Sequence, residues 1–272
     1  MQKILVIIIA FGLIACQKSS KKGEIDHLKL DFLQKIDLSQ SPETVWKKLD
    51  SAKINAYEIY QYCLESQALM RKTRLIESIA YGMENNLEEE NPEYWLAIMY
   101  NLERFTELIN TFKEPTHQTF IDIGSGNGEK PYAALCLGFT KAYGLEYSQK
   151  LVKISQDFLK PFIQKNKADI IAGDALRVDG KVYQKIDFIY MYSPIKNHQK
   201  MAELCHKVMQ NMPEGAILME MRLVYGRELR RVTGLEIPEQ MDMVLKKQQG
   251  KFYVAQYRNS EKEWKEVKRL ND

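Results

Sequence analysis

Thr119-Phe120-Ile121-Asp122-Ile123-Gly124-Ser125-Gly126-Asn127-Gly128 reads as a short apolar strand running straight into a turn. Phe120, Ile121 and Ile123 have the β-branched and aromatic character of a buried strand. Gly124, Gly126 and Gly128 allow a tight turn and a close approach of backbone to a ligand. The turn opens a helix expected near Lys130-Pro131, whose free N–H groups favour a carboxylate or a phosphate. Asp122, two residues before the first glycine, adds negative charge at the same spot. That charge suits a ligand bearing an ammonium beside its carboxylate and repels a pyrophosphate. A nicotinamide-type loop, G-x-G-x-x-G, has its third glycine one residue later, and a P-loop requires G-K-[ST] where this chain has Gly128-Glu129-Lys130.

Beyond this stretch, apolar runs alternate with helical periodicity. Strands are expected over 119–123, 141–146, 168–173, 186–192 and 215–221, with helices near 130–137, 149–160 and 197–211. Such alternation predicts an α/β fold, a Rossmann-like and mostly parallel sheet. Residues 241–247 and 252–257 flank Gln248-Gln249-Gly250-Lys251, a hairpin signal, so the sheet is expected to end in antiparallel strands. Ligands of such sheets bind beyond the carboxyl ends of the strands. The second strand ends Gly144-Leu145-Glu146-Tyr147, where an acid can accept from both hydroxyls of a ribose. The third ends Ala172-Gly173-Asp174-Ala175, where Asp174 can accept from the exocyclic amine of adenine. An amino acid, a ribose and an adenine together describe S-adenosylmethionine.

Residues 119–258 resemble a class I S-adenosylmethionine-dependent methyltransferase. D-I-G-S-G-N-G resembles the first motif of that family, Glu146 the acid closing its second strand, and G-D-A the acid after its third. The resemblance implies S-adenosylmethionine as cofactor, held by Asp122, Gly124, Ser125, Gly126, Gly128, Glu146, Tyr147, Asp174 and Ala175. The glycine loop would hold the methionyl part, Glu146 the ribose and Asp174 the adenine. It also implies that the fourth strand end, Tyr190-Met191-Tyr192-Ser193-Pro194-Ile195, faces the transferred methyl. Members that methylate planar amines carry Asn-Pro-Pro-aromatic there, and Ser-Pro-Ile departs from that pattern. Tyr192 and Ser193 are the catalytic candidates, against the plainer account in which Tyr190 and Tyr192 pack beneath the loop. A protein lysine is a candidate methyl acceptor, by fold-level analogy with helix-capped protein methyltransferases. Tyr225 to Arg231, Y-G-R-E-L-R-R, is read as a solvated helix face in preference to an anion-binding patch.

Residues 24–113 are expected to form a helical cap on a Rossmann-like domain of residues 114–272. Ser41-Pro42-Glu43 is a helix start. Val45, Leu49, Ala52, Ala56, Ile59 and Cys63 then continue as one helical face. A second start at Asn91-Pro92-Glu93 leads into the stripe Trp95, Ile98, Leu102, Phe105, Ile109 and Phe112, which ends before Glu114-Pro115.

Residues 1–16 have the pattern of a signal peptide, with Lys3 before an apolar run too short to span a bilayer. Leu13-Ile14-Ala15-Cys16 resembles the lipobox of bacterial lipoproteins, which implies lipidation at Cys16, a tether over 17–23 and a membrane-anchored location in the cell envelope. Lys18, Lys21 and Lys22 favour the alternative of an unprocessed N-terminus and a cytosolic protein. The net charge of +3 is too small to argue for nucleic acid. The four cysteines and four histidines match no metal-ligand spacing, so no metal is expected. Two functions follow: a methyltransferase, or an envelope lipoprotein that keeps the fold and binds an adenosine-type ligand or a protein partner without catalysis. Export separates the chain from a cofactor made in the cytosol, which is the argument for the second.

Overall fold

A computed structural model describes residues 25–83, 101–238, 242–258 and 261–270. The signal, the lipobox with Cys16, the tether, the start at Asn91-Pro92-Glu93, and Trp95 and Ile98 lie outside the described residues. Among the described residues, no helix is long and apolar enough to cross a membrane.

Strands β1 (Thr119–Ile123), β2 (Lys141–Glu146), β3 (Ala168–Ala172), β4 (Phe188–Met191) and β5 (Ile217–Met221) are parallel. Strands β6 (Asp242–Gln248), β7 (Lys251–Arg258) and β8 (Glu261–Glu266) continue the sheet as an antiparallel meander. The order is β3-β2-β1-β4-β5-β6-β7-β8, so the fold is α/β and Rossmann-like, with a mostly parallel sheet. The direction of progression reverses between β1 and β4, which opens the crevice where such sheets take their ligands. The β6–β7 turn places Gln249 and Gly250 at φ 53° and 73°, as a two-residue hairpin requires. The sequence reading missed β8.

Helices α6 (Glu129–Cys136) and α7 (Gln149–Ile163) cover one face of the sheet, and α8 (His198–Asn211) and α9 (Gly226–Thr233) cover the other. Among the described residues, five helices precede them: α3 (Ala56–Glu65) and α4 (Leu69–Met83) pack on α6, α1 (His27–Lys35) and α2 (Pro42–Ser51) pack on α3 and α4, and α5 (Leu102–Phe112) packs on α4 and directly on the sheet through Phe105 and Phe112. Their buried residues, from Leu33 to Phe112, form one hydrophobic cluster with Phe120, Tyr190 and Met219 of the sheet. The N-terminal helices are therefore a layer of the same core.

One expectation changes here. The apolar stripe from Val45 to Cys63 spans two helices. The chain breaks after α2 with Lys53 in left-handed backbone, φ 53°. It restarts at Asn55, whose side chain accepts the Tyr57 and Glu58 N–H groups while Glu58 reaches back to the Asn55 N–H, a capping box. Within the described residues, the last cap helix starts at Asn101, whose side chain accepts the Arg104 N–H. The carbonyls at the end of α1 receive the guanidinium of Arg71, reaching from α4 to Leu33 and Ile36.

The seam between the cap and the sheet layer runs along α3 and α6. The Tyr132 hydroxyl donates to the Ala56 carbonyl at 3.0 Å. Tyr57, Tyr60 and Tyr132 all pack on the ring of Phe162 from α7. Cys63 and Cys136 are fully buried on this seam, and Cys205 is buried on the far face of the sheet. Burial, then the adjacent Cys63 thiol, pushes the Cys136 thiol well above the usual range.

Candidate active site at the β1–β4 crevice

The glycine loop follows β1 with Gly124, Gly126 and Gly128 at φ 81°, 54° and 88°, a backbone only glycine adopts readily. Gly128 also lies against α7, where an added Cβ would come within 2.9 Å of Ser155 Cβ. At the other end of the loop, a Cβ on Gly124 would meet Pro194 Cβ at 2.7 Å. The loops after β1 and β4 therefore touch. Ser125 is buried against Gly144 of β2, and its Oγ has no hydrogen-bond partner.

Parallel register sets Asp122 opposite Gly144, two residues before Glu146 at the strand end. Glu146 binds the loop directly. One carboxylate oxygen accepts the Gly126 N–H at 2.8 Å and the other accepts the Ser148 N–H at 2.8 Å. Asp122 is 3% exposed. Burial pushes its carboxyl up to about 8, Lys130 opposing the rise and Glu129 and Glu146 adding to it. At neutral pH Asp122 is therefore largely protonated.

Sequence reasoning used Glu129 and Lys130 to exclude a P-loop and Lys130 to mark the helix start, and gave neither side chain a place in the site. The structure buries both side chains, at 7% and 6% exposure, as an ion pair beside Asp122. Lys130 Nζ lies 5.8 Å from the centroid of Phe105, which packs edge-on against Tyr190. Glu129 Oε2 is buried without a hydrogen-bond partner. The signal available was two opposite charges directly after the third glycine, where the first helical turn faces the crevice. The expected set of free helix N–H groups is smaller than read: the Asn127 side chain accepts the Glu129 N–H at 3.2 Å, and Pro131 has none.

Asp174 stands just beyond β3, next to Glu146 through the Gly173 N–H, which donates to the Glu146 carbonyl at 2.9 Å. Its carboxylate accepts the Leu176 N–H at 2.9 Å and lies 3.3 Å from Arg177 Nε. The loop carrying Asp174 and the buried Ala175 is gripped by Lys207 of α8, which donates to the carbonyls of Ala175, Leu176 and Val178. Tyr147 is exposed at the rim, and Tyr192 is half-buried.

Ser193 points inward. It is 3% exposed and held in left-handed backbone at φ 38°, and its Oγ lies 2.8 Å from Glu220 Oε1 and 2.9 Å from the Arg222 carbonyl. Arg222 is also left-handed, φ 66°. Strained residues of this kind mark segments over-determined by their surroundings. Glu220, which sequence reasoning passed over as one residue of an apolar strand, is the link. Burial pushes its carboxyl up to about 8, against the opposing hydrogen bonds of Ser193. The Ser193 N–H and hydroxyl both donate to Glu220 Oε1, and the same hydroxyl lies within reach of the Arg222 carbonyl.

Residues 105–258 match the family model described as Conserved hypothetical protein 95, more than half of the 272 residues. The chain belongs to this family. No curated protein matches it. Among solved structures, it is similar to the YcgJ protein of Bacillus subtilis, at 15% identity over 42% of this chain and 47% of that one, TM-score 0.34. It is also similar to a putative RNA methyltransferase from Pyrococcus horikoshii, at 16% identity over 71% and 94% of the two chains, TM-score 0.42. A third is an S-adenosylmethionine-dependent methyltransferase from Clostridium acetobutylicum, at 14% identity over 61% and 71%, TM-score 0.36. The chain thus spans about half the length of the first and nearly all of the second.

Proposed function

We propose that this protein is an S-adenosylmethionine-dependent methyltransferase. The observation that carries the reading is the pair Asp122 and Glu146 on neighbouring parallel strands, with Glu146 accepting the Gly126 N–H of the glycine loop. The residues fit such a cofactor. Glu146 already holds the loop through the Gly126 and Ser148 N–H groups, and a carboxylate with about four lone-pair sites can accept a ribose hydroxyl as well. Ser125 Oγ and Glu129 Oε2 are buried polar atoms left for a ligand to satisfy.

The cofactor supplies a sulfonium methyl that is already electrophilic, so the work of the protein is alignment. Glu146 and the glycine loop fix one end, and the Asp174 loop, gripped by Lys207, fixes the other. The Tyr192–Pro194 turn forms the wall beside Gly124. In this reading Ser193 shapes the turn through Glu220 and takes no proton from an acceptor, and Tyr192 is the side chain that reaches the methyl. A protein lysine is the acceptor we put forward, and Cys16 the site of a lipid anchor that holds the enzyme at the cell envelope.

Calorimetric titration of the full chain with S-adenosylmethionine and with S-adenosylhomocysteine tests the cofactor. Micromolar binding is expected, abolished in Asp122→Ala and in Glu146→Ala. Two variants that bind like the parent would put the ligand elsewhere. Transfer of a labelled methyl to protein, recovered as methyl-lysine after hydrolysis, tests the acceptor. Palmitate labelling lost in Cys16→Ala tests the anchor.

A further inference from the structure

Asp174 opens a single turn of chain after β3. Its carbonyl accepts the Arg177 and Val178 N–H groups at 2.8 and 3.0 Å, and its carboxylate accepts the Leu176 N–H at 2.9 Å. The donors of this turn are therefore satisfied from within. Its acceptors are not: among the described residues, the carbonyls of Ala175, Leu176 and Val178 take no backbone N–H. All three accept from the Lys207 ammonium, which reaches them from α8, at 3.3 Å for Ala175 and 3.1 Å for Leu176. An ammonium has three N–H donors and no acceptor, so three carbonyls complete it. Burial lowers the Lys207 ammonium from its ordinary value, and the nearby charges of Asp174 and Asp179 oppose that. Asn211, one helical turn further along α8, lies under Gly180, where an added Cβ would stand 2.5 Å from its side-chain nitrogen. The segment from Asp174 to Gly180 thus rests on one stripe of α8. The Arg177 side chain, 3.3 Å from the Asp174 carboxylate, is 88% exposed and holds it weakly.

We propose that Lys207 is a positioning residue that sets which purine the site accepts: by pinning the three carbonyls, it fixes the Asp174 carboxylate against the C6 position of the base. This rests on the cofactor reading above and deepens it, because it gives the choice of base to a side chain that works through the loop. A fixed carboxylate accepts from the C6 amine of adenine. Facing the C6 carbonyl of hypoxanthine, it sets two acceptors against each other, and a loop that cannot retreat keeps that repulsion in full. A loop without Lys207 yields in both cases. It loses affinity for adenine and gains tolerance of hypoxanthine.

Calorimetry on the full chain compares S-adenosylhomocysteine with S-inosylhomocysteine, which carries a carbonyl in place of the C6 amine. The parent is expected to favour the first by about ten- to hundredfold, the scale of a hydrogen bond to a charged group. In Lys207→Met that preference should shrink to about threefold or less, chiefly through weaker binding of S-adenosylhomocysteine. A general loss of stability weakens both ligands alike and leaves their ratio unchanged. In an Asp174→Asn background, Lys207→Met should alter the ratio by no more than about twofold, because the group it positions is gone. Where circular dichroism shows Lys207→Met unfolded, Lys207→Arg carries the same expectation, since a planar fork of N–H groups cannot converge on three carbonyls. The role of Lys207 is overturned, with the cofactor reading intact, if the folded variant keeps the parent's preference or if a parent that binds S-adenosylhomocysteine shows none. A folded parent that binds neither ligand overturns the cofactor reading and the role of Lys207 with it.

Discussion

Asp122 and Glu220 are carboxyls buried on opposite faces of the sheet, Asp122 beside α6 and Glu220 beneath Tyr225 and Cys205. Both ionise near 8 in the folded protein, against 3.8 and 4.5 as ordinary values. Between those limits the folded chain holds a proton that the unfolded chain has released. Stability from each group is complete below the ordinary value and is lost as pH rises toward the folded one, by at most about 1.4 kcal/mol per pH unit. Urea unfolding across this range should therefore show stability falling with pH, and Glu220→Gln should flatten the slope by one group's share. A slope unchanged in that variant would mean that Glu220 is ionised in the fold. The glycine at 144 gives a second prediction at this scale. A Cβ there would stand 2.4 Å from Ser125 Oγ and 2.8 Å from Ile170 Cδ1. Gly144→Ala should cost about 1–3 kcal/mol by overpacking, and should weaken cofactor binding because Ser125 carries the glycine loop. Unfolding and titration of the same sample measure the two effects.

Helix α3 owes its start to the capping box of Asn55 and Glu58. Asn55→Ala should lower the unfolding free energy by about 1 kcal/mol, and a shift of the urea midpoint at constant slope would show it. The same element shows where the sequence was legible and where it was not. The strands from β1 to β5 were readable because each is a short apolar run bounded by glycine or polar residues; the acids at 146 and 174 sit where those runs stop, and the one at 122 sits one residue before the end of its own. The break between α2 and α3 was hidden because Val45 to Cys63 stay in helical phase across it, and the N-x-x-E pattern of the cap was the only local sign. Strand β8, E-K-E-W-K-E, carries one apolar side chain, Trp264, packed on Phe112, so its pairing depends on β7 and not on its own pattern. Glu220 was unreadable for the opposite reason. An acid inside an apolar strand announces burial only once the strained turns at Ser193 and Arg222 are seen to hang from it.

Among the described residues, the N-terminal layer and one face of the sheet share a single core, so lifting the cap would expose Phe105, Tyr132 and the aromatic cluster at Phe162. Helix α6 joins both sides: its start carries Glu129 and Lys130, its middle holds Ala56 through Tyr132, and its end carries Cys136. Disturbance of the seam is therefore transmitted to the glycine loop through one rigid helix. The buried thiols turn this arrangement into a clock. A disulfide reagent reaches Cys63 or Cys136 only in the moments when the seam is open, so the rate of labelling counts openings, with Cys205 reporting the opposite face of the same molecule. Ligand bound at the glycine loop should slow Cys136 and Cys63 together and leave Cys205 at its own pace, while equal slowing of all three would mean that the thiols are exposed only by global unfolding.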